Sequence, residues 1–460
     1  MVKRYRHIHF VGIGGAGMSG IAEVLHNMEY VVTGSDLKAS EVTRHLEQLG
    51  IRVSIGHRPE HVQGADVVVR SSAVALDNPE VAAARQHLIP VIPRAEMLAE
   101  LMRLKYGVAV AGTHGKTTTT SMLATVLAHG GLDPTIVIGG RLRGLGSNAR
   151  LGKGEFLVAE ADESDGSFLK LSPTLAVVTT IDAEHLDYYR DLAHIQEAFL
   201  QFINKVPFYG SAILCLDQEN IQDLLPRVEK RFITYGLRTQ ADITAREIML
   251  QGMGSEFVVV ARQEVLGKFR LRVPGMHNVS NALAAVGVGL DLAIEPEAIR
   301  EALEEFAGVE RRFQVKGEAR GIVVVDDYGH HPAEIRATLD AAKEGFGRRV
   351  VVVFQPHRYT RTKYLLRDFS TAFYQADVVI VTEVYAAGEP VIPGVSGRQI
   401  AEGALEHGHR NVTFVKDKEA VPDLLLPVLR PGDLVITMGA GDIWQIGEEI
   451  MRRLTVRAGE

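Results

Sequence analysis

A chain of 460 residues is too long for one hydrophobic core and predicts about three domains at roughly 150 residues each. Hydrophobic residues at 46% and charged ones at 23% are those of a globular protein, and a net charge of −7 argues against a nucleic-acid surface. The single cysteine excludes a disulfide framework within the chain, and no apolar run reaches the roughly 18 residues of a membrane span.

In chain order, residues 1–7 are basic and lead without an apolar leader into a predicted strand at 7–11, so a cytoplasmic chain is expected. Gly12-Ile-Gly14-Gly-Ala-Gly17 follows, then a helical pattern through Ile21, Val24 and Leu25, and a second strand at 30–32 leading to Asp36, 19 residues after Gly17. A G-x-G-x-x-G turn between strand and helix lets backbone amides close on a diphosphate, with the acidic residue on a ribose or sugar hydroxyl. The pattern suits a dinucleotide and equally the diphosphate of a UDP-sugar. A third strand at 65–69 ends at Arg70-Ser71-Ser72, on the edge where ligands sit in such sheets. The segment 89–93 and a helix at 95–104 close a first domain, residues 1–105.

The second domain, residues 106–308, opens on a buried strand at 107–111 and the turn Gly112-Thr113-His114-Gly115. A helix starts at Lys116, with Met122, Leu123, Val126 and Leu127 at helical spacing. Two glycines, a lysine and a hydroxyl at a helix N-terminus form a phosphate cradle, with Lys116 on the outer phosphates and Thr117 on a magnesium ion. Its G-x-x-G-K-T spacing is two residues shorter than the general P-loop pattern. After a glycine-rich loop at 139–148, a strand at 156–160 ends in Glu160 and runs into Asp162, Glu163 and Asp165. Another at 175–180 runs into Asp182, Glu184, His185 and Asp187. These groups reach the same sheet edge as the cradle, which suits oxygen-ligated magnesium near Glu160 and His185. Cys215, in the apolar run 212–216, reads as a buried side chain. A strand at 269–273 precedes His277 and Asn278 at a helix start, where both can read a purine edge and the asparagine can equally cap the helix.

Arg311 and Arg312 mark the junction to a third domain, residues 309–460. Strands at 322–325, 350–354, 378–382, 412–415 and 434–438 alternate with helices after Pro332, at 363–374 and past Trp444, which predicts a parallel sheet covered on both faces. Its strand ends carry Asp326-Asp327-Tyr328-Gly-His330-His331, Gln355-Pro-His357-Arg358-Tyr-Thr-Arg361 and Gly439-Ala-Gly-Asp442.

Seven stretches in collinear order resemble those of the Mur ligases: the glycine turn at 12–20, Gly-Thr-His-Gly-Lys-Thr-Thr at 112–118, Glu-Ala-Asp-Glu-Ser-Asp at 160–165, Glu-His-Leu-Asp at 184–187, Gly-Met-His-Asn at 275–278, Asp-Asp-Tyr-Gly-His-His-Pro at 326–332 and His-Arg-Tyr-Thr-Arg-Thr at 357–362. The shortened phosphate turn is the form that family uses. The resemblance implies an α/β protein of three domains, Rossmann-like at both ends around a central P-loop ATPase-like domain. It also implies an ATP- and magnesium-dependent ligase of peptidoglycan precursor synthesis, hence of cell-wall biogenesis, cell shape and cell division.

By the same resemblance Gly112, Thr113, His114, Gly115, Lys116, Thr117 and Thr118 bind ATP, while Thr117 and Glu160 hold one magnesium and His185 helps to hold a second. His277, Asn278 and Arg312 face the nucleotide, and Gly12, Gly14, Gly17, Asp36 and Ser71 take the UDP group. Lys116, Asp327, His330, Arg358 and Arg361 serve the reaction and the incoming amino acid, with His330 or Asp327 as proton acceptor. Ser164 and the absence of a lysine in 196–200 point to the member whose substrates are UDP-N-acetylmuramate and L-alanine, as a monomer or homodimer. A recycling member that attaches a whole tripeptide is the alternative. Thr180 stands where the family more often has asparagine. Such a ligase is expected to close its third domain onto the second. Outside the family, a nicotinamide oxidoreductase leaves residues 112–118 unexplained, and a UDP-sugar sensor has no use for two metal-ligand strand ends.

Overall fold

The computed structural model describes residues 5–71, 73–139, 149–186 and 188–456. Residues 1–4, Ser72, residues 140–148 of the glycine-rich loop and Asp187, all drawn on in the sequence analysis, lie outside the described residues. Two compact units divide the chain: residues 1–246, 258–269 and 280–306 form one, and residues 247–257, 270–279 and 307–460 the other. The strands lie in three sheets, mostly parallel, as the α/β reading requires.

The first sheet holds His7–Val11 (β1), Val31–Asp36 (β2), Arg52–Ile55 (β3), Val67–Arg70 (β4) and Val91–Pro93 (β5). All run parallel in the order β3-β2-β1-β4-β5. Chain order reverses between β1 and β4, so their carboxyl ends flank the crevice where such sheets bind ligands. The turn at Gly12 leaves β1 at that point. The predicted strand at 30–32 continues to Asp36, and β3 was not foreseen because Arg-Val-Ser-Ile has no run of apolar residues.

The second sheet holds Tyr106–Ala111 (β6), Thr135–Val137 (β7), Ala149–Arg150 (β8), Phe156–Glu160 (β9), Leu175–Val178 (β10), Ser211–Cys215 (β11), Phe232–Tyr235 (β12), Ile243–Gln251 (β13), Gly254–Ala261 (β14) and Glu264–Leu271 (β15). Their order is β15-β14-β13-β12-β11-β10-β6-β9-β7-β8. β6 is parallel to both neighbours, in register Val110 to Glu160 and Ala111 to Val178. Gly112, Glu160 and Thr179 therefore reach one sheet edge from three adjacent strands. The predicted strand at 269–273 overlaps the end of β15, which stops at Leu271; β13 and β14 are additional strands, and interleaved polar residues dilute the apolar signal of β13. Cys215 is buried in β11.

The helix after β6, Lys116–His129, opens on four threonines, whose branched Cβ disfavours helix. Their position is tolerated because hydroxyls bond back one turn: Thr120 to the Lys116 carbonyl at 2.8 Å, Ser121 to Thr117 at 2.7 Å and Thr125 to Ser121 at 3.0 Å. Thr119, Thr120 and Ser121 can then be buried with Met122, Leu123, Val126 and Leu127.

The third sheet holds Gln314–Ala319 (β16), Ile322–Asp327 (β17), Arg349–Phe354 (β18), Val378–Thr382 (β19), Val412–Val415 (β20) and Asp433–Met438 (β21), in the order β16-β17-β21-β18-β19-β20. Side chains alternate across a strand, so the Val350–Phe354 run supplies both faces: Val350, Val352 and Phe354 enter one core, Val351 and Val353 the other. The wholly parallel sheet expected here needs one correction: β16 runs antiparallel to β17, with a register shift between Val315 and Gly317. The helix predicted at 363–374 is two shorter ones, Tyr359–Tyr364 and Leu366–Ser370, joined at Leu365. No helix among the described residues is long and apolar enough to cross a membrane.

Candidate functional site

In the first unit the turn between β6 and its helix is shaped by two glycines. Gly112 has φ +140°, and a Cβ there would lie 2.0 Å from Thr179 Oγ1 and 2.9 Å from the Thr180 nitrogen. Gly115 has φ +79°, with Asn281 Oδ1 2.7 Å from where its Cβ would be. Lys116 Nζ donates to the Gly112 carbonyl at 2.6 Å, the Thr113 carbonyl at 3.2 Å and Glu163 Oε1 at 2.8 Å. The amine thus lies across its own loop, where an outer phosphate would sit. Burial alone would favour the neutral amine, but the Glu163, Glu160 and Asp162 carboxylates outweigh it and hold Lys116 charged well above the usual lysine range.

Thr117 Oγ1 donates to both Glu160 oxygens, at 3.1 and 3.0 Å, and the Gly139 amide donates to Glu160 Oε2 at 2.9 Å. His185 has φ +55° and brings Nε2 to 3.6 Å from Glu163 and 3.9 Å from Glu184. Burial would lower the His185 imidazole, yet Glu163 and Glu184 raise it above the ordinary histidine value. Thr118 is half-buried in the first helical turn. The structure thus gathers Gly112 to Thr118, Glu160 and His185 at one sheet edge.

Thr180, whose family departure leaves its role open in the sequence, accepts the His114 amide on Oγ1 at 2.8 Å, and its carbonyl accepts the Thr113 amide at 2.9 Å. Thr113 Oγ1 in turn accepts the Asp182 amide at 2.9 Å. The hydroxyl thus ties the cradle to β10. Thr180→Val is expected to lower stability by about 1 kcal/mol, one lost hydrogen bond, and to weaken ATP binding severalfold, checked by thermal unfolding and nucleotide titration.

At the first sheet, Gly12 has φ +81° and its Cβ would press on Ser71 Cβ at 3.1 Å, while Asp36 Oδ2 accepts the Gly14 amide at 2.9 Å. A Cβ at Gly17 would lie 2.0 Å from Arg94 Nη1, so the third glycine admits an arginine. That arginine pairs with Asp162 at 2.8 Å, a contact 68 residues apart that no motif announces. The helix Ala16–Asn27 starts at Gly15 without a side-chain cap, leaving its first amides open to an anion. Gly12, Gly14, Gly17, Asp36 and Ser71 are thus brought together.

Behind that turn, Glu80 is fully buried and collects Ser35 Oγ at 2.5 Å, His61 Nδ1 at 2.6 Å, His9 Nε2 at 3.2 Å and the Arg58 amide at 3.2 Å. Burial pushes its carboxyl up, but hydrogen bonds from His9, Ser35 and His61 outweigh it and hold it at about 2. A depressed carboxyl stabilises above its unfolded value and loses that contribution as pH falls toward 2. Glu80→Gln is expected to cost roughly 2–3 kcal/mol at pH 7, a deficit that shrinks below about pH 4.5 in urea unfolding.

In the second unit, Asp327, Met438 and Phe354 are in register on β17, β21 and β18, so three strand ends again share an edge. Asp327 is 5% exposed and accepts the Phe313 amide at 2.8 Å, the Gly329 amide at 2.7 Å and Thr338 Oγ1 at 3.3 Å. Its carboxylate is engaged in forming its own turn. Burial raises it, against the Arg312 charge and these amides. His330 is half-buried, with Nδ1 3.0 Å from the Tyr328 carbonyl and its ring edge-on to Tyr328 and His357 at 5.3 and 5.7 Å.

His357 stacks on Tyr385 at 5.7 Å and has Arg361 Nη1 3.3 Å from Nδ1. Burial, then the neighbouring His330, Arg361 and Arg358, push it down to about 3, so it is neutral near pH 7. Arg358 has φ +70°, and its buried Nε has no hydrogen-bond partner among the described residues. Arg312 lies 5.2 Å over the Tyr328 ring and 3.5 Å from Glu334. Arg311, read from the sequence only as a junction, is tied inward to Asp326 at 2.9 Å and to the Gly439 and Gly441 carbonyls at 2.7 and 3.2 Å. His277 is exposed at the start of Met276–Asp291, while Asn278 donates Nδ2 to the Pro274 carbonyl at 2.7 Å.

The sequence matches the Mur ligase family catalytic domain over residues 7–106, the Mur ligase middle domain over 110–289 and the Mur ligase glutamate ligase domain over 311–441. It is 62% identical over 457 residues to the UDP-N-acetylmuramate–L-alanine ligase of Syntrophotalea carbinolica, covering 99% of this chain and 100% of that protein. It is 59% identical over 461 residues to the same-named enzyme of Syntrophobacter fumaroxidans, covering 100% and 98%. Among solved structures, UDP-N-acetylmuramate-alanine ligase MurC from Thermotoga maritima superposes with a TM-score of 0.83 at 32% identity, over 98% of this chain and 99% of that one. A murein peptide ligase from Psychrobacter arcticus shares the fold, with a TM-score of 0.72 at 24% identity over 98% of each chain.

Proposed function

The chain belongs to the Mur ligase family, and from that premise we propose that it joins L-alanine to UDP-N-acetylmuramate at the expense of ATP. Full-length relatives at about 60% identity bearing that activity's name support the reading. The structural observation that carries it is the 112–117 turn, which sets an amine and a hydroxyl at one helix start beside Glu160. The division at residues 105 and 308, a cytoplasmic location and a role in cell division belong to the same proposal.

A carboxylate does not acylate an amine in water without activation. An oxygen of the lactyl carboxylate attacks the γ-phosphorus of ATP, the bond to ADP breaks, and an acyl phosphate forms. The alanine amine then attacks its carbonyl carbon, a proton leaves the nitrogen, and phosphate departs. Two anions must meet in the first step, so positioning and opposing charge carry most of the rate. Lys116 supplies that charge on the outer phosphates. One magnesium suits Thr117 Oγ1 with Glu160 and a second suits His185, and both would neutralise phosphate charge. Gly12, Gly14, Gly17, Asp36 and Ser71 hold the UDP group, while His277, Asn278 and Arg312 serve the nucleotide.

In the second unit, the unpartnered Nε of Arg358, with Arg361 beside His357, suits the carboxylate of the amino acid. Asp327 is committed to its turn, so His330 is the better proton acceptor. Phosphate release from ATP with UDP-N-acetylmuramate and each of the twenty amino acids tests the reading. Release that depends on L-alanine is expected; release only with a tripeptide would instead assign the recycling activity.

A further inference from the structure

Glu163, in the acidic stretch after β9, is 2% exposed, and the sequence gives it no task of its own. Its backbone is clamped: its carbonyl accepts Tyr189 Oη at 2.6 Å and the Gly166 amide at 3.0 Å. The carboxylate is therefore held against the cradle. Oε1 takes Lys116 Nζ at 2.8 Å and lies 3.6 Å from His185 Nε2. Oε2 is sealed from solvent and has no hydrogen-bond partner among the described residues. A carboxylate can accept about four hydrogen bonds, so most of this one's capacity is unused in a buried place where polar atoms are normally satisfied.

The lysine that compensates Glu163 is the one the nucleotide needs. When Lys116 turns to an outer phosphate it leaves the Gly112 and Thr113 carbonyls, which are neutral, and Glu163, which is not. A buried carboxylate stripped of its lysine is strongly unfavourable unless another cation arrives. Two hard oxygens with a histidine nitrogen nearby suit a divalent ion such as Mg²⁺ or Mn²⁺.

We propose that Glu163 exchanges cations: it holds Lys116 in the nucleotide-free chain and, together with His185, a divalent metal ion once nucleotide has drawn Lys116 away. The proposal rests on the ATP-binding reading of the 112–118 turn and adds a ligand to it. Lys116 thus keeps the metal off Glu163 until ATP arrives.

Mn²⁺ counted by electron paramagnetic resonance is the probe, with and without a non-hydrolysable ATP analogue whose own binding is measured by calorimetry. With the analogue, two ions are expected on the unaltered protein and one on Glu163→Gln, with His185→Ala losing the same ion. Without nucleotide, Lys116→Met should bind Mn²⁺ at least about tenfold more tightly than the unaltered protein, because nothing competes for Glu163. Adding Glu163→Gln to Lys116→Met should remove that gain. Two ions on Glu163→Gln, or an unchanged nucleotide-free Mn²⁺ affinity in Lys116→Met, overturns the proposal. The Lys116→Met comparison decides the matter even if Glu163→Gln does not fold. An unaltered protein that fails to bind the analogue sinks the ATP reading instead, which separates the two failures.

Discussion

Replacing Lys116 with Ala is expected to stop turnover, by about 10³-fold or more in kcat, while affinity for the UDP-sugar stays unchanged. The amine lies across the 112–115 turn, 2.6 Å from the Gly112 carbonyl. In phosphoryl transfer a charge placed on the transferred group acts chiefly in the transition state, so its loss falls on kcat. The UDP-sugar is proposed to bind at the Gly12 turn and Asp36, on a different sheet. Phosphate release and UDP-sugar calorimetry on the same preparation check both halves. A variant that turned over within tenfold of the unaltered protein would remove Lys116 from the reaction. The substitution also leaves Glu163 without its lysine, so added Mg²⁺ should raise the Tm of this variant more than that of the unaltered protein.

Gly112→Ala is expected to remove ATP binding and lower stability by roughly 3 kcal/mol or more. A residue with a side chain at φ +140° costs about 1–3 kcal/mol in backbone strain alone. The added Cβ would also meet Thr179 Oγ1 at 2.0 Å and two backbone nitrogens, of Thr180 at 2.9 Å and Thr179 at 3.1 Å. The hydroxyl can rotate aside, but the Thr179 and Thr180 backbone is held by its hydrogen bonds to the Ala111 carbonyl and the Thr113 amide and cannot. Gly131→Ala is the control: its φ is +75°, yet nothing lies within 4 Å of the added Cβ, so only the strain should appear. Thermal unfolding of both variants, with an ATP titration, tests the difference. Equal destabilisation in the two would show that the collision at Gly112 relaxes.

Much of the proposed nucleotide site is legible in the sequence because its parts are local. Gly112, Gly115, Lys116 and Thr117 lie within six residues, and a strand-to-helix turn with glycines at its two ends has few conformations that do not point amides at an anion. Glu160 was legible for another reason: a carboxylate that ends a buried strand next to β6 must reach the same edge. Thr180 was noticed only as a departure from a family pattern. Its bond to the His114 amide, 66 residues away, depends on β10 and β6 being neighbours. Arg311 and Arg312 are adjacent in sequence and both lie over Tyr328, yet one is bound inward to Asp326 and the other pairs with Glu334. No spacing rule separates two consecutive arginines, because which one faces inward is set by the φ of +58° at Arg311 and the turn around it.

What the sequence by itself determined is everything that near neighbours decide: three runs of alternating strands and helices, two glycine turns at strand ends, and the chemical kinds of group those ends carry. Hydrogen bonding within a turn and the apolar period of a strand act over a few residues, so a string of letters is enough to contain them. Only the tertiary structure decided which acid meets Lys116. Glu160, Asp162, Glu163 and Asp165 are four carboxylates within six positions, and the choice of Glu163 follows from its clamped backbone and from burial, neither of which is a property of the residue's place in the chain. Charge pairing in a protein interior is settled by which groups are shut away from water together, and that exists only once the strands have been laid side by side.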